Sequence, residues 1–187
     1  MMTRRYVITR LTSILATLVA FAAVQVSAVA AWDPAKVEAR EAAVGETIAE
    51  FSGEDSTLGR FFEEAHGYAV FPKVGEAAFV IGGAHGKGEV FEQGMSIGIA
   101  KISAVSVGLS FGGKTFQEII FFKSKAALDK FTAGKFTFGA KTSIVFVKDG
   151  AGAKAVWSDD VAIFARGGTG AMVDASIAGQ KFKFEAH

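Results

Sequence analysis

The sequence predicts an α+β fold: a curved, mostly antiparallel β-sheet or partly closed barrel, with two amino-terminal helices and one short helix packed on it. Three observations carry this. From Met95 to Phe111, bulky Met95, Ile97, Ile99, Val105, Val107, Leu109 and Phe111 fall on odd positions, and Ser96, Gly98, Ala100, Ala104, Ser106, Gly108 and Ser110 on even ones, which is the two-residue period of a strand. Eighteen phenylalanines, 22 glycines and only two prolines suit many strands around an aromatic core. Three apolar runs end in glycine pairs, at Gly82-Gly83, Gly112-Gly113 and Gly167-Gly168, as at the corners of a bent sheet. Lys101 and Ser103 interrupt the bulky face of the long run, and its length at ~3.3 Å per residue is about 56 Å, so a bend or reversal is expected near Ile102. The small-residue face admits close approach by a helix, an opposite barrel wall or a ligand.

The chain begins with Arg4, Arg5 and Arg10, runs uncharged through Leu11–Val24, and reaches the small residues Ser27-Ala-Val-Ala-Ala31. This pattern predicts a secretory signal peptide over 1–31, cleaved after Ala30 or Ala31, and a periplasmic or secreted location. The apolar centre is short for a membrane span. With no cysteine, disulfides, thiolate metal sites and a lipid-modified amino-terminal Cys are excluded. Removing 1–31 takes three of the 20 basic side chains and none of the 19 acidic ones, leaving about −2, which argues against general nucleic-acid binding. Residues 32–187 have the length of one domain, helical over 33–67 and β-rich over 68–187.

In order, Asp33-Pro34 starts a helix that carries Val37, Val44, Ile48 and Phe51 inward and stops at Gly53. A second begins at Asp55 or Ser56, with Leu58, Phe61 and Phe62 on one face, and closes at His66-Gly67. Both are amphipathic; the stripe covers a sheet or, alternatively, touches a membrane. Tyr68–Phe71 reads as a strand halted by Pro72, with a turn at Lys73-Val74-Gly75. Ala77–Ile81 follows, then a glycine-rich turn over Gly82–Gly88, an alternating Glu89–Glu92 and a turn at Gln93-Gly94. After the long run come a strand over Phe116–Phe122, a short helix capped by Ser124 with Ala127, Leu128 and Phe131 inward, and strands at Phe136–Phe138, Ile144–Val147, Val161–Phe164, Met172–Ile177 and Lys181–Phe184. The last alternates Lys with Phe, as an edge strand does.

Catalytic motifs fail. A P-loop requires Gly where Ile81 stands and Ser or Thr where Gly88 stands, and Gly86-x-Gly88 leads to Phe91 rather than the glycine of a dinucleotide fingerprint. His66, His85 and His187 lack metal-ligand spacing, no calcium loop occurs, and no nucleophile set assembles, so neither enzyme activity, cofactor nor metal is expected. What remains is cationic. Lys73, His85 and Lys87, on glycine-bounded turns, are candidate contacts for a phosphate headgroup. Lysines beside phenylalanines, Lys135, Phe136 and Phe138, and Lys181, Phe182 and Lys183, are candidates for interfacial contact, rings in the acyl boundary and ammonium groups on lipid phosphate.

Gly67-Tyr-Ala-Val-Phe-Pro-Lys-Val-Gly75, Gly82-Gly-Ala-His-Gly-Lys-Gly88, the Ser106–Phe111 strand, Phe116-Gln-Glu-Ile-Ile-Phe-Phe122 with Lys125-Ala-Ala-Leu-Asp-Lys-Phe131, and Gly139-Ala140 together resemble the SYLF lipid-binding domain family, over about Ser56 to Ile177. The resemblance implies a compact, mainly β domain with packed helices. It also implies lipid binding: eukaryotic relatives bind phosphoinositides and in some cases actin filaments, while bacterial relatives are exported, often as lipoproteins. The absent cysteine departs from those lipoproteins, and actin is an unlikely partner for an exported protein. The leading expectation is therefore a non-enzymatic envelope module binding phospholipid or a membrane surface. Its alternatives are an envelope adaptor that pairs a partner protein along an exposed β-edge, and an apolar ligand enclosed by the curved sheet.

Overall fold

A computed structural model describes residues 34–78, 81–107, 112–136, 144–148, 150–167 and 180–187. The signal peptide expected over 1–31, Phe138 and the strand expected at Met172–Ile177 lie outside them. Ala39–His187 form one compact unit; of Met1–Glu38, the described residues are the opening of the first helix.

Helix α1 spans Pro34–Glu54, burying Val44, Thr47 and Phe51 at helical spacing. It passes Gly53 by one residue before the buried Asp55 stops it. Asp55 caps a 3₁₀ turn, Ser56–Leu58, accepting from the Thr57 N–H at 3.0 Å and from the Thr57 hydroxyl at 2.6 Å. Helix α2, Gly59–Glu64, follows directly.

The strands are β1 (Gly67–Ala78), β2 (Ile81–Glu92), β3 (Met95–Val107), β4 (Gly112–Phe122), β5 (Ile144–Phe146), β6 (Val161–Gly167) and β7 (Gln180–Ala186), with helix α3 (Lys125–Thr132) after β4 and the unforeseen α4 (Ala151–Lys154) after β5. They form one seven-stranded sheet in the order β5-β6-β4-β1-β2-β3-β7, antiparallel throughout except for the β5–β6 pair. Among the described strands β7 is an edge, as its Lys/Phe alternation suggests.

Three local expectations are corrected. Pro72 does not halt β1; pairing slips between Val70 and Lys73 on one side and between Phe71 and Val74 on the other, so the missing donor sits in a bulge and the strand continues. Gly82–Gly88 is not a turn but part of β2, where Gly88 is required because a Cβ there would collide with the Val70 carbonyl and the Phe71 ring. Finally, β3 does not reverse at Ile102 but pairs continuously from Met95 to Val107, with one irregularity opposite Val90 and Phe91.

The sheet curls. Gln180 on β7 donates to Glu118 on β4 at 2.8 Å although three strands lie between them, a separation of about 19 Å in a flat sheet. Likewise the Phe71 and Phe182 rings lie 6.0 Å apart across β2 and β3. The concave side holds Phe71, Val74, Val90, Ala100, Ile102, Ile120, Phe122 and Phe182, closed by Leu128 and Phe131 of α3. Thus the small-residue face of β3 turns inward and receives aromatic rings: a Cβ at Gly98 would lie 2.6 Å from the Phe184 ring. On the convex side α1, the 3₁₀ turn and α2 place Val44, Phe51, Leu58 and Phe61 on Val70, Ile119, Phe121 and Phe164. Arg166 ties α1 to this sheet half, donating to Glu50 at 3.1 Å and to Gln117 at 2.9 Å.

Candidate functional site

Strand pairing brings together residues far apart in the chain. Lys73 on β1 lies opposite Lys87 on β2, Lys87 opposite Lys101 on β3, and Lys101 opposite Lys183 on β7. Because the inward neighbours Val74, Ala100, Ile102 and Phe182 are buried, alternation sends all four lysines to the convex face. At a strand spacing of ~4.8 Å the row covers about 14 Å. The next row on the same face is Gly75, His85, Ser103 and Lys181. Five lysines and a histidine thus share one patch of sheet.

Like charges directly opposite each other destabilise a sheet, so the row has a cost that only counter-charge offsets. Part is supplied internally. Lys101 Nζ lies 2.8 Å from both Glu185 carboxylate oxygens, and Lys183 Nζ lies 3.2 Å from one of them. These bonds, Lys101 first, hold the Glu185 carboxyl below the usual range. Glu89, two residues from Lys87 on the same face, is buried and turned aside: it accepts from the Ser96 hydroxyl at 2.5 Å and lies 3.8 Å from Arg40. Among the described residues Lys73, His85 and Lys87 are exposed and have no ion-pair or hydrogen-bond partner for their side chains.

Lys73, His85, Lys87 and Lys101 surround a shallow depression of about 450 Å³, floored by Gly75, Gly86 and Ile102. It exists because Gly75 carries no side chain: a Cβ there would meet nothing nearer than the His85 carbonyl oxygen at 4.0 Å. The three headgroup candidates are therefore together, but on paired strands rather than on turns. Of the interfacial candidates, Lys181 and Lys183 join the patch, while Lys135 lines a separate cavity of about 450 Å³ with Lys130, Asp159 and Asp160. The rings do not face outward with them. Phe182 is buried, 4.8 Å from Phe131, and Phe136 is half-buried, with ring neighbours Phe122, Phe131 and Phe182. For Phe182 alternation is the reason: on β7 the lysines take the convex side and Phe182 the concave one. Insertion of these two rings into an acyl layer is thus not available to the fold, and what the face offers is charge.

Lys101 shows in the sequence only as a break in an apolar run; its role depends on register. Glu118 gives no sequence signal at all. It sits in the interior, fully buried, and loss of hydration pushes its carboxyl up to about 8, against the opposing bond from Gln180. Among the described residues no cluster of three His, Asp or Glu side chains has metal-binding geometry, and no helix is long and apolar enough to cross a membrane.

A family model described as Las17-binding protein actin regulator (Ysc84) matches residues 103–186, the stretch that includes Lys181, Lys183 and Glu185. Beta cell expansion factor A of Aeromonas veronii is 29% identical over 133 residues, covering 65% of this chain and 46% of that protein, so the chain spans about half the length of this curated relative. Residues 103–186 thus match the model of the Ysc84, or SYLF, domain family, the same family that the sequence motifs resemble.

Proposed function

We infer that this protein is a non-enzymatic binding module for anionic lipid surfaces, recognising phosphate-bearing headgroups through the lysine row. The observation that carries the reading is the pairing of Lys73, Lys87, Lys101 and Lys183 on one exposed face, with Lys73 and Lys87 lacking any counter-charge among the described residues. Each ammonium group near an anionic membrane contributes ~1 kcal/mol, so four or five make a useful affinity without insertion of apolar side chains. Since the neighbouring rings face the core, attachment is electrostatic, reversible and sensitive to salt. The amino-terminal segment, read as an export signal, supports a periplasmic or secreted location for this activity, and for that reason actin is not proposed as a partner.

The second reading, an adaptor that pairs a partner strand, draws on β7 being a sheet edge; lysines at 181 and 183 weigh against it, since charged edges resist strand addition. Co-sedimentation with vesicles separates the two. Binding to vesicles containing anionic lipid but not to pure phosphatidylcholine, reduced by 0.5 M salt and by Lys87→Glu, is expected. Failure to bind either vesicle refutes the lipid reading.

A further inference from the structure

The lysine row is electrostatically divided. Glu185 occupies Lys101 and Lys183, whereas Lys73 and Lys87 stand directly opposite each other with their charges unmet among the described residues. His85 lies two residues from Lys87 on the same face, and the space opposite it, at Gly75, is open. A flat cationic face attracts any anion. This half differs in offering a shallow depression bordered by the Lys73 and Lys87 ammonium groups and the His85 imidazole, with Lys101, held by Glu185, at its other side.

The charge of the occupant follows. Two ammonium groups borne on directly opposed residues, with Cβ atoms about 5 Å apart, repel, and two positive charges are matched in full by a dianion between them. A phosphate monoester carries about −1.5 to −2 at pH 7 and three unesterified oxygens, enough for both lysines and a histidine N–H. A phosphodiester carries one charge and two such oxygens. We propose that the Lys73–His85–Lys87 depression is a site for a phosphate monoester and discriminates against phosphodiesters. This deepens the anionic-surface reading and rests on it where the monoester is a lipid headgroup; the same chemistry is offered by a soluble phosphate monoester.

The full chain is tested against phosphatidylcholine vesicles containing either phosphatidic acid, a monoester, or phosphatidylglycerol, a diester, the two sets matched for surface potential; glycerol 3-phosphate is titrated separately by calorimetry. Tighter binding to the phosphatidic acid vesicles is expected, with Lys73→Gln and Lys87→Gln each losing about fivefold on them. Gly75→Val keeps every charge and a strand-compatible residue but fills the depression, so it removes the preference while leaving phosphatidylglycerol binding intact. Glycerol 3-phosphate binding without vesicle binding supports the monoester site with a soluble source and refutes the surface reading. Equal binding to both vesicle types, unchanged by Gly75→Val, overturns the monoester site and leaves the surface reading standing. No binding of any of the three probes refutes both.

Discussion

Replacing Glu118 by Gln should stabilise the protein at neutral pH. Glu118 is fully buried in the concave interior, and one of its oxygens and the Gln180 side-chain oxygen have no hydrogen-bond partner. With its carboxyl raised from 4.5 to about 8 in the fold, the folded chain holds a proton that the unfolded chain releases. The contribution is therefore fully favourable below about pH 4.5 and is lost as pH rises through about 8, because between those values the unfolded state binds fewer protons. The slope is about 1.4 kcal/mol per pH unit, so at pH 7 the wild type has forgone roughly 3 kcal/mol relative to an uncharged isostere, an upper bound because partial hydration softens burial. The amide introduced by Glu118→Gln keeps an oxygen that can accept from the Gln180 amide as the carboxyl does at 2.8 Å. Urea unfolding of both proteins at pH 5, 7 and 8.5 tests this. The expected result is near-equal stability at pH 5 and a widening advantage for Glu118→Gln at pH 7 and 8.5. A variant less stable than wild type at pH 7, or a difference independent of pH, would refute the reasoning.

Other consequences concern the lysine face and the capped turn. Glu185→Gln releases Lys101 and Lys183 from their shared carboxylate, a gain of one net positive charge, and should tighten binding to anionic vesicles by about fivefold, read by co-sedimentation at low salt; unchanged affinity would mean that these lysines do not face the lipid. Asp55→Ala removes the acceptor for the Thr57 N–H and for the Gly152 N–H at 2.6 Å, leaving buried donors unpaired, and should cost about 2–4 kcal/mol in urea unfolding. Burial opposes Asp55 ionisation, but hydrogen bonds from Thr57 and Gly152 outweigh it and hold the carboxyl below its usual value. That stabilisation is present above pH 4 and lost as pH falls through the depressed value, so the variant's deficit should shrink in strong acid.

The site is half legible in the sequence. Lys73, His85 and Lys87 stand out because glycines surround them, and a lysine among small residues is conspicuous whether the backbone turns or not. The expected turns are absent for a physical reason: Pro72 and the glycines of 82–88 signal turns through local conformational freedom, whereas in β1 and β2 the same residues serve a bulge and the packing of Phe71 against Gly88. The alternation of Phe with Lys along β7 is equally visible, yet it does not by itself say which of the two residue types meets solvent.

What the sequence alone determined is a set of local features: the two-residue alternation that makes strands, the Ser124 and Asp55 caps that start helical turns, and the lack of any recognisable catalytic motif. Only the tertiary structure decided that Lys73, Lys87, Lys101 and Lys183 form one row, that Glu185 pairs with two of the four, and that the sheet curls until Gln180 meets Glu118. Alternation sets the side of a strand on which a residue lies, but register and curvature depend on partners as far as sixty residues away and more, and the pattern of one strand holds no record of its neighbour's offset.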